Sequence, residues 1–228
     1  SAMVVGHVGR LAPEKNLGYL AEAVVFFLKK NPEAFFLVAG SGPSETDIRR
    51  IFKENNLDRQ LIMPGTVSGQ QLSDVFKAMD IFVFASKTET QGMVLTEAMA
   101  AGKPVVAFDA PGAREVVQDG ENGFLLQGNA LGNVFAKAMG ELTRQIQEND
   151  KWRNAALNTA KKFSRKVCAG RMVSVYESIR GYTGKLNQDG LDPLVDWDPL
   201  LQTLETEWAL LSEKIKAVSE TIKETLVK

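Results

Sequence analysis

From the N-terminus to about residue 128, short apolar runs alternate with stretches of helical period. The runs cover residues 4–8, 34–39, 60–63, 81–85, 104–108 and 123–126. They are nearly continuous rather than alternating apolar and polar, which marks strands covered on both faces. The helical stretches carry start signals. Asn16 is placed to cap residues 17–30, Ser44 with Asp47 forms a capping box for 45–55, and Ser68 precedes 69–79. An order of β-α-β-α-β predicts an α/β fold with a doubly wound, parallel, six-stranded sheet. Right-handed crossovers then bring every βα loop to one edge of the sheet, where folds of this kind hold their ligands.

From residue 130 onward the period is helical throughout, over 130–149, 150–163 and 164–182. Residues 183–198 are rich in Gly, Asp, Asn and Pro and read as a linker. Asp198-Pro199 then offers a cap followed by proline in the first turn. Beyond it, Leu201, Leu204, Trp208, Leu211, Ile215, Val218 and Ile222 recur at alternating spacings of three and four, a heptad stripe. The organisation expected is a domain over 4–183, a linker over 184–198 and a helical extension over 199–228. The stripe must be buried, either against this domain or a missing part of the protein, or by self-association as a coiled coil. A membrane-lying helix fits least. Residues 185–228 carry five Lys against nine Asp plus Glu, and anionic lipid repels such a segment.

Composition narrows the function classes. A net charge of −1 gives no footprint for general nucleic-acid binding. Cys168 is the only cysteine, so no intrachain disulfide and no cysteine-based metal site can form, in keeping with a reducing cytoplasm. No apolar run reaches the ~18–20 residues of a membrane span. Ser1-Ala2-Met3 reads as a vector remnant ahead of a start codon, and the chain is expected to be a piece of a longer protein.

The βα loops hold the candidate chemistry. The loop after the first strand, Gly9-Arg10-Leu11-Ala12-Pro13-Glu14-Lys15-Asn16, sets two cations five residues apart. Both suit an anionic ligand, Arg10 as a fork and Lys15 as a point charge, unless Lys15 is spent on Glu14. Gly40-Ser41-Gly42-Pro43 is half of a dinucleotide fingerprint. It lacks the third glycine and is more simply a tight turn, or a place for a ligand to approach the backbone at Gly40. Gly65-Thr66-Val67-Ser68 offers backbone groups suited to a base edge, or is simply a turn and cap. The stretch from Lys87 to Ala101 sets Glu89 and Glu97 eight residues apart around a turn at Gly92. Glu97 falls on an otherwise apolar helix, so either a ligand satisfies it or it lies at the helix edge. The start of that helix attracts phosphate. In a later loop, Gly112 leaves room for a ligand at the backbone. The lone His7 reads as a packing residue.

Five segments, VGRLAPEKN (8–16), VAGSGP (38–43), PGTVS (64–68), ETQGMVLTEAMAAGKPVVA (89–107) and PGAREVVQDGENGFLL (111–126), resemble in order the C-terminal donor-binding domain of family 4 retaining glycosyltransferases. The resemblance covers about residues 4–182 and implies the Rossmann-like C-terminal half of a two-domain GT-B enzyme. It assigns Arg10, Lys15 and Glu89 to catalysis: the cations hold the donor diphosphate and its leaving charge, and Glu89 meets the transferred sugar. Glu97 would hold the ribose, and Gly92, Met93 and Val94 would offer backbone amides. Gly65, Thr66 and Val67 would border the base, with Gly9 and Gly40 beside the donor. The donor implied is a UDP- or GDP-sugar, bound without cofactor or metal. Asp196-Trp197-Asp198, the one D-x-D, is explained by capping. The acceptor domain of such an enzyme precedes this segment, so the expected partner is that absent domain. The chain by itself is expected to bind donor and transfer little sugar, in the cytoplasm or at a membrane periphery through the whole protein. ETQG with EAMAAGKPVV is reminiscent of bacterial members that glucosylate lipids. A degenerate, non-catalytic module assembling through its tail is the alternative.

Overall fold

The structure, a computed structural model, describes residues 2–189, with side chains as far as residue 179. Six strands, β1 (Val4–Val8), β2 (Phe35–Ala39), β3 (Leu61–Gly65), β4 (Ile81–Phe84), β5 (Val105–Phe108) and β6 (Gly123–Leu126), form one sheet in the order β3-β2-β1-β4-β5-β6. Every pairing is parallel. The helices are α1 (Leu17–Leu28), α2 (Glu45–Glu54), α3 (Gly69–Ala78), α4 (Met93–Ala100), α5 (Pro111–Arg114), α6 (Gly132–Glu148), α7 (Lys151–Lys162) and α8 (Arg165–Asp189). This is the doubly wound α/β fold that the apolar runs predict.

The near-continuous apolar strands are explained by two cores, one on each face of the sheet, except at β3, which lies at the sheet edge and alternates, with Ile62 exposed, so the expected cover on both faces is absent there. Val5, Val38, Ile81, Val83 and Phe108 join Leu20, Val24, Phe27, Phe52, Phe135 and Met139 of α1, α2 and α6. Val8, Leu37, Phe82, Phe84 and Val105 join Phe76, Leu95, Met99 and Ala156 of α3, α4 and α7. Burying each such Leu or Phe contributes about 1.5–3 kcal/mol, so the sheet is held from both sides and its loop edge is left to carry the site.

Three caps differ from expectation. Asn16 sits in the left-handed region at φ 56° and caps nothing with its side chain; its Nδ2 instead donates to Ala85 O, 3.4 Å away, beyond β4. Ser44 makes no side-chain cap and Asp47 pairs with Arg50 at 3.4 Å, so the capping box does not form. Ser68 makes no side-chain cap either. The last helix was expected to stop at residue 182; α8 runs on to Asp189, through the first part of the expected linker. The chain divides into two units between Ala169 and Gly170, within α8. The first holds the whole sheet; the described part of the second is helical. The heptad stripe, Asp196 to Asp198 and the rest of the 199–228 extension lie outside the described residues.

Candidate functional site

β1 and β4 are neighbours in the sheet but not in sequence. The chain leaves β1 toward β2 and leaves β4 toward β5, so the loops after these two strands diverge and open a crevice between them. A cavity of about 340 Å³ lies there. One wall is His7, Val8, Gly9, Arg10 and Lys15; the other is Phe84, Glu89, Thr90, Gln91, Gly92, Met93 and Val94. The structure therefore brings all three residues expected to be catalytic to one cavity, with the three expected backbone donors.

Lys15 and Glu89 are 74 residues apart in sequence and form an ion pair across this crevice, both about one-fifth exposed. Ser86 Oγ donates to the same Glu89 oxygen at 3.2 Å. Glu14, the local candidate to neutralise Lys15, pairs instead with Arg10 on the surface. Lys15 is thus aimed inward and Arg10 lies at the rim, 72% exposed, with freedom to turn onto a ligand.

Gly92 starts α4 at φ 58°, with no side-chain cap. Leu95 N–H turns back to Gly92 O at 2.9 Å, and the N–H groups of Met93 and Val94, at the very start of the helix, present partial positive charge at the cavity wall. A Cβ at Gly92 would lie 2.6 Å from Gly112 O, and Gly112 N–H donates to Glu89 O at 2.9 Å. The room at Gly112 is therefore taken by the Glu89–Gly92 backbone rather than left for a ligand. α5 braces the loop that carries Glu89.

A second cavity, of about 300 Å³, shares Val8, Gly9 and Arg10 with the first and continues to Ala39, Gly40, Ser41, Thr66, Val67 and Leu72. Its walls are mostly apolar, with one polar spot where Thr66 and Ser41 hydroxyls bond at 2.9 Å. Gly40 is needed for close packing: a Cβ there would fall 1.8 Å from Gly9 O. The backbone that approaches Gly40 is thus that of Gly9. Gly65 joins this construction through its carbonyl, which accepts Gly40 N–H at 2.8 Å.

Glu97 stands apart. It is exposed at the edge of α4, as the second of its two sequence readings has it. It opens onto a third cavity, of about 340 Å³, between α3 and α4, lined also by Leu72, Ser73, Phe76 and Lys77. Leu72 is common to this cavity and the second. Partial burial raises the Glu97 pKa.

His7 packs as the sequence suggests, and the structure adds a position at the cavity that the sequence did not show. Its ring is buried and stacks on Phe82 and Phe84, which fits packing, but it also lines the first cavity. Nδ1 lies 3.0 Å from Val83 O, and Nε2 has no partner. Burial, above all, lowers its pKa to about 4. The available signal was a single ionisable residue inside an apolar strand, two positions before the cationic loop.

Taken together, cations and a helix start suit a diphosphate, an apolar slot with backbone and hydroxyl groups suits a planar ring, and carboxylates suit sugar hydroxyls. Among the described residues no group of three or more His, Cys, Asp or Glu side chains is placed to hold a metal, and no helix is long and apolar enough to cross a membrane.

Comparison with known proteins gives the same direction. Residues 2–159 match the family described as glycosyl transferases group 1. A poly(ribitol-phosphate) alpha-N-acetylglucosaminyltransferase of Staphylococcus aureus is 27% identical over 77% of this chain and 35% of its own length. A sulfoquinovosyl transferase of Arabidopsis thaliana is 32% identical over 67% of this chain and 31% of its own length. The chain thus spans about a third of these curated relatives. Among solved structures, the pneumococcal O-GlcNAc transferase GtfA in complex with UDP and GlcNAc superposes with a TM-score of 0.69 at 25% identity, over 78% of this chain and 36% of that one.

Proposed function

Because this chain belongs to the group 1 glycosyl transferases, we propose that it is the donor-binding part of a retaining, family 4 type enzyme that transfers a hexose from a nucleoside diphosphate sugar. The observation that carries this is the convergence of Arg10, Lys15, Glu89 and the open start of α4 on one cavity at the β1/β4 switch point. The diphosphate settles over Gly9 and against the first turn of α4. The base takes the adjoining slot at Gly40, Thr66 and Val67, and Glu97 holds the ribose. A UDP-sugar is the favoured donor, since the similar GtfA structure contains UDP.

Bond cleavage at the sugar leaves negative charge on the diphosphate. Lys15 and Arg10 supply fixed positive charge where that charge develops, which is worth more in the transition state than in the ground state. Lys15 must exchange Glu89 for phosphate, and that exchange frees Glu89 to accept hydroxyls of the transferred sugar. With these cations and the helix start in place, the reading requires no metal. An acceptor domain elsewhere in the whole protein completes the enzyme, which would act in the cytoplasm or at a membrane periphery.

The test is a thermal-shift and calorimetric screen of the chain against UDP-, GDP- and ADP-sugars. The expected result is a stabilising shift with one of them, strongest for UDP-sugar. A folded chain that binds none of the three would rule the reading out.

A further inference from the structure

The inference concerns His7 and rests on the donor-site reading above. β1 pairs with β4 at Val5–Ile81 and Gly6–Phe82. One step further, where the strands open into the crevice, Val83 O accepts a hydrogen bond from the His7 ring at 3.0 Å. A carbonyl accepts only, so Nδ1 carries the proton and Nε2 is left with a lone pair. That nitrogen is buried without a partner, a state that costs stability and that proteins generally avoid. The ring belongs to the wall that also holds Arg10 and Lys15. The charged groups acting on it are Lys15, on the turn after β1, and Glu89, on the loop after β4. The strands packed around it present Val38, Phe82, Val83 and Phe84, which carry no charge.

We propose that His7 is a ligand-binding group of this cavity: when a nucleoside diphosphate sugar enters, Nε2 takes a proton from solvent and donates it in a hydrogen bond to a phosphate oxygen. One N–H bond forms, the proton comes from bulk water, and the Nδ1–H bond to Val83 is kept. In the empty site Arg10 is paired with Glu14 and Lys15 with Glu89, so a charge on the buried His7 ring would find no counter-charge left over. The diphosphate reverses this by bringing two negative charges and by drawing Lys15 away from Glu89, which opens the floor of the cavity to the ligand. A single phosphate charge within about 5 Å is enough to return a buried imidazole to the neutral titration range. The cradle then has three cations instead of two, the third present only while it is needed.

The measurement is calorimetry of the full chain with UDP-glucose at about pH 6.5, in buffers of different ionisation enthalpy. The diphosphate of a nucleotide sugar has no ionisation near this pH, so any proton taken up goes to the protein. The expected result is uptake of about half a proton per ligand or more. In His7→Phe, which keeps a ring between Phe82 and Phe84, uptake disappears, and affinity falls about tenfold near pH 6 and by less at pH 8. His7→Gln, a polar side chain that cannot take the proton, carries the same test should the Phe variant misfold. Binding by the wild type without uptake, or uptake that persists in these variants, would overturn the inference and leave the donor site standing. No binding at all by the folded protein would remove both.

Discussion

Two buried polar groups, Asn122 at the N-terminal end of β6 and His7 near the C-terminal end of β1, are treated oppositely. Asn122, just before β6, is fully buried and fully satisfied. Its Oδ1 accepts Gln118 N–H at 2.8 Å, and its Nδ2 donates to Val116 O at 3.1 Å and Thr159 Oγ1 at 2.9 Å. It ties the turn before β6 to α7 and leaves nothing for a ligand. His7 is also buried, but one of its two ring nitrogens is idle, beside a Lys15–Glu89 pair that lines an open cavity. The first cluster is finished by folding. The second is left incomplete by folding, the state that the proposed ligand would complete, and that contrast separates scaffold from candidate site more sharply than residue type does.

The largest test of this contrast is pH. His7 is held at a pKa of about 4 in the folded protein against an ordinary 6.5, so between those values the unfolded chain binds more protons. Stability is complete above about pH 6.5 and is lost as pH falls toward 4, by about 3 kcal/mol from this one group. Urea titrations from pH 7 to 4 should show a flatter loss in His7→Phe than in the wild type, and equal slopes would refute the assignment. Asn122→Ala should come next, at about 2–3 kcal/mol of stability from the unpaired backbone groups it leaves, read as a lower thermal midpoint. Nucleotide-sugar affinity of the molecules still folded should stay unchanged, since the cluster is separate from the three cavities. Lys15→Ala should do the reverse, weakening nucleotide-sugar binding about 10- to 100-fold by calorimetry with a modest change in melting. Glu97→Ala should cost least, about fivefold in affinity, because an exposed carboxylate trades water for ribose hydroxyls.

Much of this was legible in the sequence. Apolar runs located all six strands; in β1, β2, β4 and β5 burial on both faces leaves few polar positions to confuse the period, whereas edge strand β3 leaves Ile62 exposed and is not covered on both faces as its run suggested. The cationic loop and Glu89 pointed to the β1/β4 crevice, because a parallel sheet must bring its βα loops to one edge; Glu97, eight residues on, lies instead on the cavity between α3 and α4. What sequence could not give was partnership. Glu14 is adjacent to Lys15 and Glu89 is 74 residues away, yet Lys15 takes the distant one, since only the β1–β4 pairing sets that distance. The caps at Asn16 and Ser44 failed for a related reason: the loop's backbone path decides whether a side chain can turn back to the helix, and at Asn16 that side chain is used to reach Ala85. His7 was read by its neighbours in sequence, all apolar, rather than by the crevice above it.

Gly40 and Gly9 touch backbone to backbone, with no space between them for a single methyl group. The contact therefore cannot be rebuilt by swapping one side chain for another, since neither partner offers a side chain. The slot at Gly40 and the loop after β1, which the proposed function gives to base and phosphate, are joined at this point as one rigid casting. Under the proposed function, substitutions that alter base preference would then fall among the side chains lining the slot, at Ser41, Thr66, Val67 or Leu72, while the spacing of slot and loop stays fixed.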